Sequence, residues 1–146
     1  QLMAYRLMYR NPNRIANYTE SGWRVSPRQL IRTRFLEATG LASASEANAV
    51  NGGCIVTVDV RVFEQRFISE QNAVGMLEWQ ASVFDAQTRQ RLAVNRFTAA
   101  RPMVRPDAAS GVSALIEATD QAIDETAQWV QTDVLPRHAL CRSTPN

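Results

Sequence analysis

The residue types that could carry acid–base or nucleophilic chemistry are few and scattered in this chain. Its one histidine, His138, follows Pro136 in the C-terminal tail. No serine or acid stands with it in a triad or nucleophile-elbow spacing, so it reads as a surface residue. Glu64 and Glu78 could face each other across two strands, as the paired carboxylates of glycoside hydrolases do, but such pairs are commoner as solvated sheet residues. Asn51-Gly52-Gly53 has the glycines of a phosphate-cradling loop without the lysine or the Gly-rich continuation, so it reads as a tight hairpin turn. Cys54 and Cys141 are too few for a zinc site beside a single histidine. These residues assign no catalytic group, cofactor or metal, and the chain is not expected to be an enzyme.

Two features remain. In an oxidising compartment Cys54 and Cys141 would pair and tie the C-terminal tail to the sheet, which typically stabilises by about 2–4 kcal/mol. In a reducing compartment they would be two unrelated small apolar residues, and the residues alone leave both readings open. The aromatics Tyr5, Tyr9, Tyr18 and Trp23 cluster near the N-terminus. They could cover a sheet edge and the start of a helix, or form a docking surface, since Tyr, Trp and Arg are enriched at binding hot spots. They could also do both.

The rest of the composition bounds the class. The chain has 146 residues, 45% of them hydrophobic and 21% charged, enough to bury one core and unlike a disordered chain. No apolar run approaches the roughly 18 residues of a membrane span. The basic residues are all arginine, scattered from Arg6 to Arg142, and the net charge is +2. That even scatter fits a codon-usage bias, and without a basic stripe no nucleic-acid partner is expected. The chain opens at Gln1 with no signal-peptide apolar core, which suggests a processed or trimmed product.

The elements that must position these groups follow from pattern. Leu2 to Tyr9 reads as a strand, ended by Asn11-Pro12-Asn13. Ser26, Pro27 and Gln29 form a complete helix start, and the helix runs from Pro27 to about Thr39 with Leu30, Ile31, Phe35 and Ala38 buried. Gly40 reads as its left-handed C-terminal cap, with Leu41 as the apolar contact. Ala42 to Val50 is a short edge strand or a loop. From Ile55 to Phe67, Val56, Val58, Val60 and Val62 alternate with Thr57, Asp59, Arg61 and Phe63, the period of a half-buried strand. Ala73 to Asp85 repeats it, with Leu77, Trp79, Ala81 and Val83 inward, and Gln90 to Ala99 makes a third antiparallel neighbour. Arg101 to Pro106 reads as a linker. Asp107 caps a long helix over Ala108 to Leu135, ended by Pro136. Its expected stripe runs through Val112, Leu115, Thr119, Ala122, Ile123, Thr126, Trp129 or Val130, and Val134. The expected fold is α+β, an antiparallel sheet of four to five strands with two helices packed on one face in the order β-α-β-β-β-β-α. Residues 1–146 are expected to form a single domain, with a tail from about 136 to 146.

Several segments, in order, resemble the ABC-type transport auxiliary lipoprotein family. They are Tyr5-Arg6-Leu7; then Tyr18, Trp23, Pro27 and Leu30; Gly40 and Leu41; Val60 through Phe67 with Phe63-Glu64; Trp79-Gln80-Ala81 with Asp85; Arg96-Phe97; and Ala114-Leu115 with Trp129. The resemblance spans about Ala4 to Val130. It implies a non-catalytic accessory lipoprotein of a transport system built on an ABC transporter and an MCE-domain protein, which moves lipids or other hydrophobic molecules across the envelope. It further implies the periplasm, a lipid anchor to the outer membrane, docking onto MCE and ABC subunits, and a ring-forming homo-oligomer. Membrane contact is expected only through an N-terminal lipid anchor. The lipid-bearing cysteine is missing from this chain, so either it was cut away or the anchor expectation fails.

Two other readings share the sheet-and-two-helix plan. One is a periplasmic α+β adaptor like the N-terminal domain of TolB. The other is a small lipid carrier, in which Ala118, Ala122 and Thr126 leave room between sheet and long helix. That carrier would need an apolar pocket of about 300 Å³ or more.

Overall fold

Strict alternation of apolar and polar residues sets the centre of the molecule. The computed structural model describes residues 2–7, 15–22, 27–39, 42–45 and 48–142, with side chains described at 7, 29–37 and 52–142. In chain order the elements are β1 (Leu2–Leu7), β2 (Ile15–Gly22), α1 (Pro27–Thr39), β3 (Ala42–Ser45), β4 (Asn48–Asn51), β5 (Cys54–Phe67), β6 (Ala73–Asp85), β7 (Arg91–Pro102) and α2 (Ala108–Trp129). A π-helical turn at Val130–Val134 and a 3-10 turn at Ala139–Cys141 follow.

The protein is α+β, built on the antiparallel strands β5, β6 and β7 with two helices. The expected strand count of four to five is too low, and the sheet is not purely antiparallel. Seven strands form one sheet, in which β1 runs parallel to β5. The reason lies in the length of β5. Its 14 residues give one edge room for two partners, β4 against Cys54 to Thr57 and β1 against Gln65 to Phe67. The pairs β1–β2 and β3–β4 are antiparallel ribbons added at the two ends. β2 falls where the sequence shows no regular period, and Ala42 to Val50 divides between β3 and β4.

A β-bulge also corrects the facing of β5. The register slips between Val60 and Val62, so Arg61 is the extra residue and every side chain after it changes face. Val56, Val58 and Val60 lie opposite Val83, Ala81 and Trp79, whereas beyond the bulge Phe63, Gln65 and Phe67 lie opposite Leu77, Gly75 and Ala73. Phe63 therefore packs on the core, and Val62 stands beside Glu78 on the other face. On β6 the expected inward residues Leu77, Trp79, Ala81 and Val83 are almost completely buried.

α2 lies across the inner face of these three strands. Gly75 lets it approach closely, because a Cβ there would stand 2.8 Å from the Leu115 backbone nitrogen and 2.9 Å from the Ala114 Cβ. The buried face of α2 runs through Gly111, Ala114, Leu115, Ala118, Thr119, Ala122, Ile123 and Thr126, while Val112 is only half-buried. The α-helix does not run regularly to Leu135. It passes at Val130 into the π turn, where the Leu135 N–H reaches the Val130 carbonyl. Val130 and Val134 of this turn are buried, and Trp129 packs edge-on against Phe97, with ring centroids 5.8 Å apart. α1 joins the same core through Ile31 and Phe35. Arg34 ties α1 to α2 by two hydrogen bonds of 2.7 Å to the Asp120 carboxylate. Its guanidinium pKa is raised by those bonds. The expected caps at Ser26 and Gly40 lie outside the described residues.

Candidate functional site

The aromatic cluster expected from sequence divides between described and undescribed positions. Tyr5 is on β1, opposite Ala16 of β2 and Gln65 of β5, and Tyr18 is on the neighbouring β2. The backbone thus brings these two onto adjacent strands, although their side chains lie outside the described residues. Tyr9 and Trp23 also lie outside them.

The two cysteines are joined by a disulfide, with Cα atoms 4.9 Å apart and a sequence separation of 87. The turn before Cys54 explains how the tail reaches it. Asn51 pairs with Cys54, and Gly52-Gly53 form the two-residue link between β4 and β5. Gly52 has φ of +59° and carries no Cβ, which would collide with the Arg142 carbonyl. The tail therefore lies directly over the turn, and the Gly53 N–H donates to the Leu140 carbonyl at 2.7 Å. His138 belongs to the same tail. Its N–H donates to the Val134 carbonyl, and its own carbonyl accepts from Cys141.

The carboxylates Glu64 and Glu78 share the sheet face away from the helices, but they are not directly opposed. Glu64 stands opposite Met76 and Glu78 opposite Val62. Glu64 is buried and takes the Arg66 guanidinium at 3.2 Å. Among the described residues, no group of three or more His, Cys, Asp or Glu side chains could hold a metal ion.

Where a lipid carrier would need space, the sheet supplies the Trp79 indole. Ala118, Ala122 and Thr126 are fully buried with it. The Trp79 Nε1–H donates to Thr126 Oγ1 at 3.0 Å, and that hydroxyl donates to the Ala122 carbonyl at 2.7 Å. Small residues on α2 thus accommodate a large one on β6. An open groove of about 440 Å³ does exist along α2 beside Arg101 of β7, but Arg101, Glu117, Asp120, Asp124 and Glu125 line it. These are polar walls, unlike the apolar lining of a lipid pocket.

One surface was missed by reading arginine positions alone. β7 is the outermost of the three long strands, paired only with β6 among the described residues. Arg89, Arg91, Arg96, Arg101 and Arg105 lie on or beside it, and residues 86–106 contain no acid. Residues 106–136 hold six acids and no basic group. The visible signal was the gap in acids, not the spacing of arginines. No helix among the described residues is long and apolar enough to cross a membrane.

No protein-family model matches the chain, and no curated protein sequence matches it. A solved structure from Caulobacter crescentus, a candidate lipoprotein, aligns over 73% of this chain and 79% of its own at 14% identity and TM-score 0.49, too distant to bear on the argument. A Xanthomonas campestris protein of family DUF330 aligns over 88% of this chain and 73% of its own, at 21% identity and TM-score 0.74. What this chain shares with that protein is the α+β fold.

Proposed function

We propose that this chain is the globular part of a non-catalytic accessory lipoprotein of an MCE/ABC-type envelope transport system for lipids or other hydrophobic molecules, acting by protein–protein docking. The observation that supports it is the order of the resembling segments along one continuous framework. Tyr5-Arg6-Leu7 opens the sheet, Trp79-Gln80-Ala81 crosses its centre, and Ala114-Leu115 with Trp129 closes it from α2. The disulfide between Cys54 and Cys141 supports an oxidising compartment such as the periplasm. In this reading an N-terminal lipid anchor holds the protein at the outer membrane, and the domain's surfaces engage MCE and ABC subunits.

The test is an affinity pull-down of the full-length protein, with its native signal, from crosslinked cells of its own host. Recovery of an MCE protein with its ABC subunits is expected. Recovery of Tol-type or peptidoglycan-linked envelope proteins alone would overturn the reading in favour of an adaptor of the TolB N-terminal type.

A further inference from the structure

We propose that the outer edge of β7 takes an acidic, extended segment of a partner protein as an added strand. An edge strand presents a row of unpaired backbone N–H and C=O groups, which a second chain can complete by β-augmentation. β7 is 12 residues long, well above the usual strand, and nothing among the described residues pairs with its outer side. Its charge selects the occupant. Arg89, Arg91, Arg96 and Arg101 are exposed and make no ion pair among the described residues. Two apolar side chains stand among them, Val94 at 44% and Val104 at 91% exposure.

A second copy of β7 is disfavoured at this edge, because pairing would set arginines against arginines with no acid on either strand. A membrane plane also fits poorly. Arg96 lies opposite Gln80 on the face away from the helices, whereas Arg101 lies opposite Gly75 on the helix side. The charges follow a line along the edge and straddle the sheet, as a bound strand would require. The pattern goes further. Arg101 already lies beside Glu117, Asp120, Asp124 and Glu125 of α2, so the acids of the added strand should point to the opposite face, toward Arg91 and Arg96. The partner segment should therefore carry acids at every second position.

This inference rests on the docking reading above, and its test separates the two. The probe is a fluorescent nonapeptide of alternating Glu and Val. The control replaces every Val by Pro, which keeps the charge and prevents strand pairing. Wild-type protein should bind the Glu-Val peptide with salt-sensitive affinity and show slowed amide exchange in β7. The Arg91→Glu/Arg96→Glu variant, changed only at exposed positions and checked for an unchanged melting temperature, should bind about tenfold more weakly or worse. No binding, equal binding of the proline peptide, or binding only to phosphatidylglycerol-containing vesicles would overturn the proposal. In the crosslinked pull-down, the same variant should lose partners that the wild type recovers. Retained MCE recovery would sink the edge proposal and leave the accessory reading standing. Peptide binding without any MCE recovery would do the reverse.

Discussion

At the scale of single residues, the most consequential contact is the hydrogen bond from Trp79 Nε1 to Thr126 Oγ1. Both side chains are fully buried, so the indole N–H has no access to water. Thr126→Val keeps the shape and removes the acceptor. It should destabilise by about 1–3 kcal/mol, the cost of leaving one buried donor unmet. Thr126→Ser keeps the hydroxyl, loses only a methyl group and should cost less. Urea unfolding of the two variants measures the difference, and equal losses would show that volume rather than the hydrogen bond matters. Trp79 was legible as an inward residue because its strand alternates without interruption. Its partner was not legible, since nothing in a one-dimensional pattern distinguishes a threonine that accepts an indole from one that merely fits against a sheet.

At the scale of elements, the long helix depends on its first turn. The Asp107 carboxylate accepts from the Ser110 N–H at 2.8 Å, and this bond, more than the nearby Arg105, holds its pKa below the usual 3.8. A depressed carboxylate contributes stability that is fully present above its unfolded value and is lost as pH falls through the folded value. Asp107→Asn keeps a capping oxygen and cannot titrate. The stability advantage of wild type over this variant should therefore be present near neutral pH and shrink at pH values below about 4. Urea midpoints for both proteins at the two extremes would show it, and a difference independent of pH would contradict the assignment. This helix start, and that of α1 at Pro27, were legible because caps and prolines act locally. Facing in the sheet was legible where one face is buried by strict alternation, in β5 before its bulge and in β6, and the strands expected over Leu2 to Tyr9 and Gln90 to Ala99 stand as β1 and β7. β2 carries Ile-Ala-Asn-Tyr-Thr-Glu-Ser-Gly and shows no period, because its place comes from pairing with β1. The bulge at Arg61 inverted the facing of Phe63 for the same reason, since register is a property of two strands. Arg101 and Pro102 belong to β7 rather than to a linker, and proline is tolerated at an edge where no ladder bond is required.

At the scale of the whole molecule, the sheet has two very different margins. One ends in the arginine-lined edge of β7, which pairs with no second strand among the described residues. On the other, β4 and the C-terminal tail converge on the start of β5, where the disulfide closes the chain. The basic edge was hidden in the sequence because arginines are spread along the whole chain. Their effect depends on where acids are missing, and the acids are concentrated on α2. The disulfide can be weighed by chain entropy. Cross-linking over 87 residues restricts the unfolded chain by an amount equivalent to about 4–5 kcal/mol in the loop-closure model, which strain in the native state would reduce. A domain of this size has a total stability of only about 5–15 kcal/mol, so Cys54→Ser/Cys141→Ser should lose a large share of it. The expected fall in melting temperature is about 10 °C, and the same fall should follow from reduction of the wild type. The local contacts argue that the tail would still dock without the bond. Val134 is buried, and the Gly53 N–H to Leu140 carbonyl bond does not involve sulfur. The variant should therefore remain folded at low temperature and unfold in one transition. A loss of under about 3 °C would mean that packing of the tail, rather than restriction of the unfolded chain, accounts for the stability of this margin.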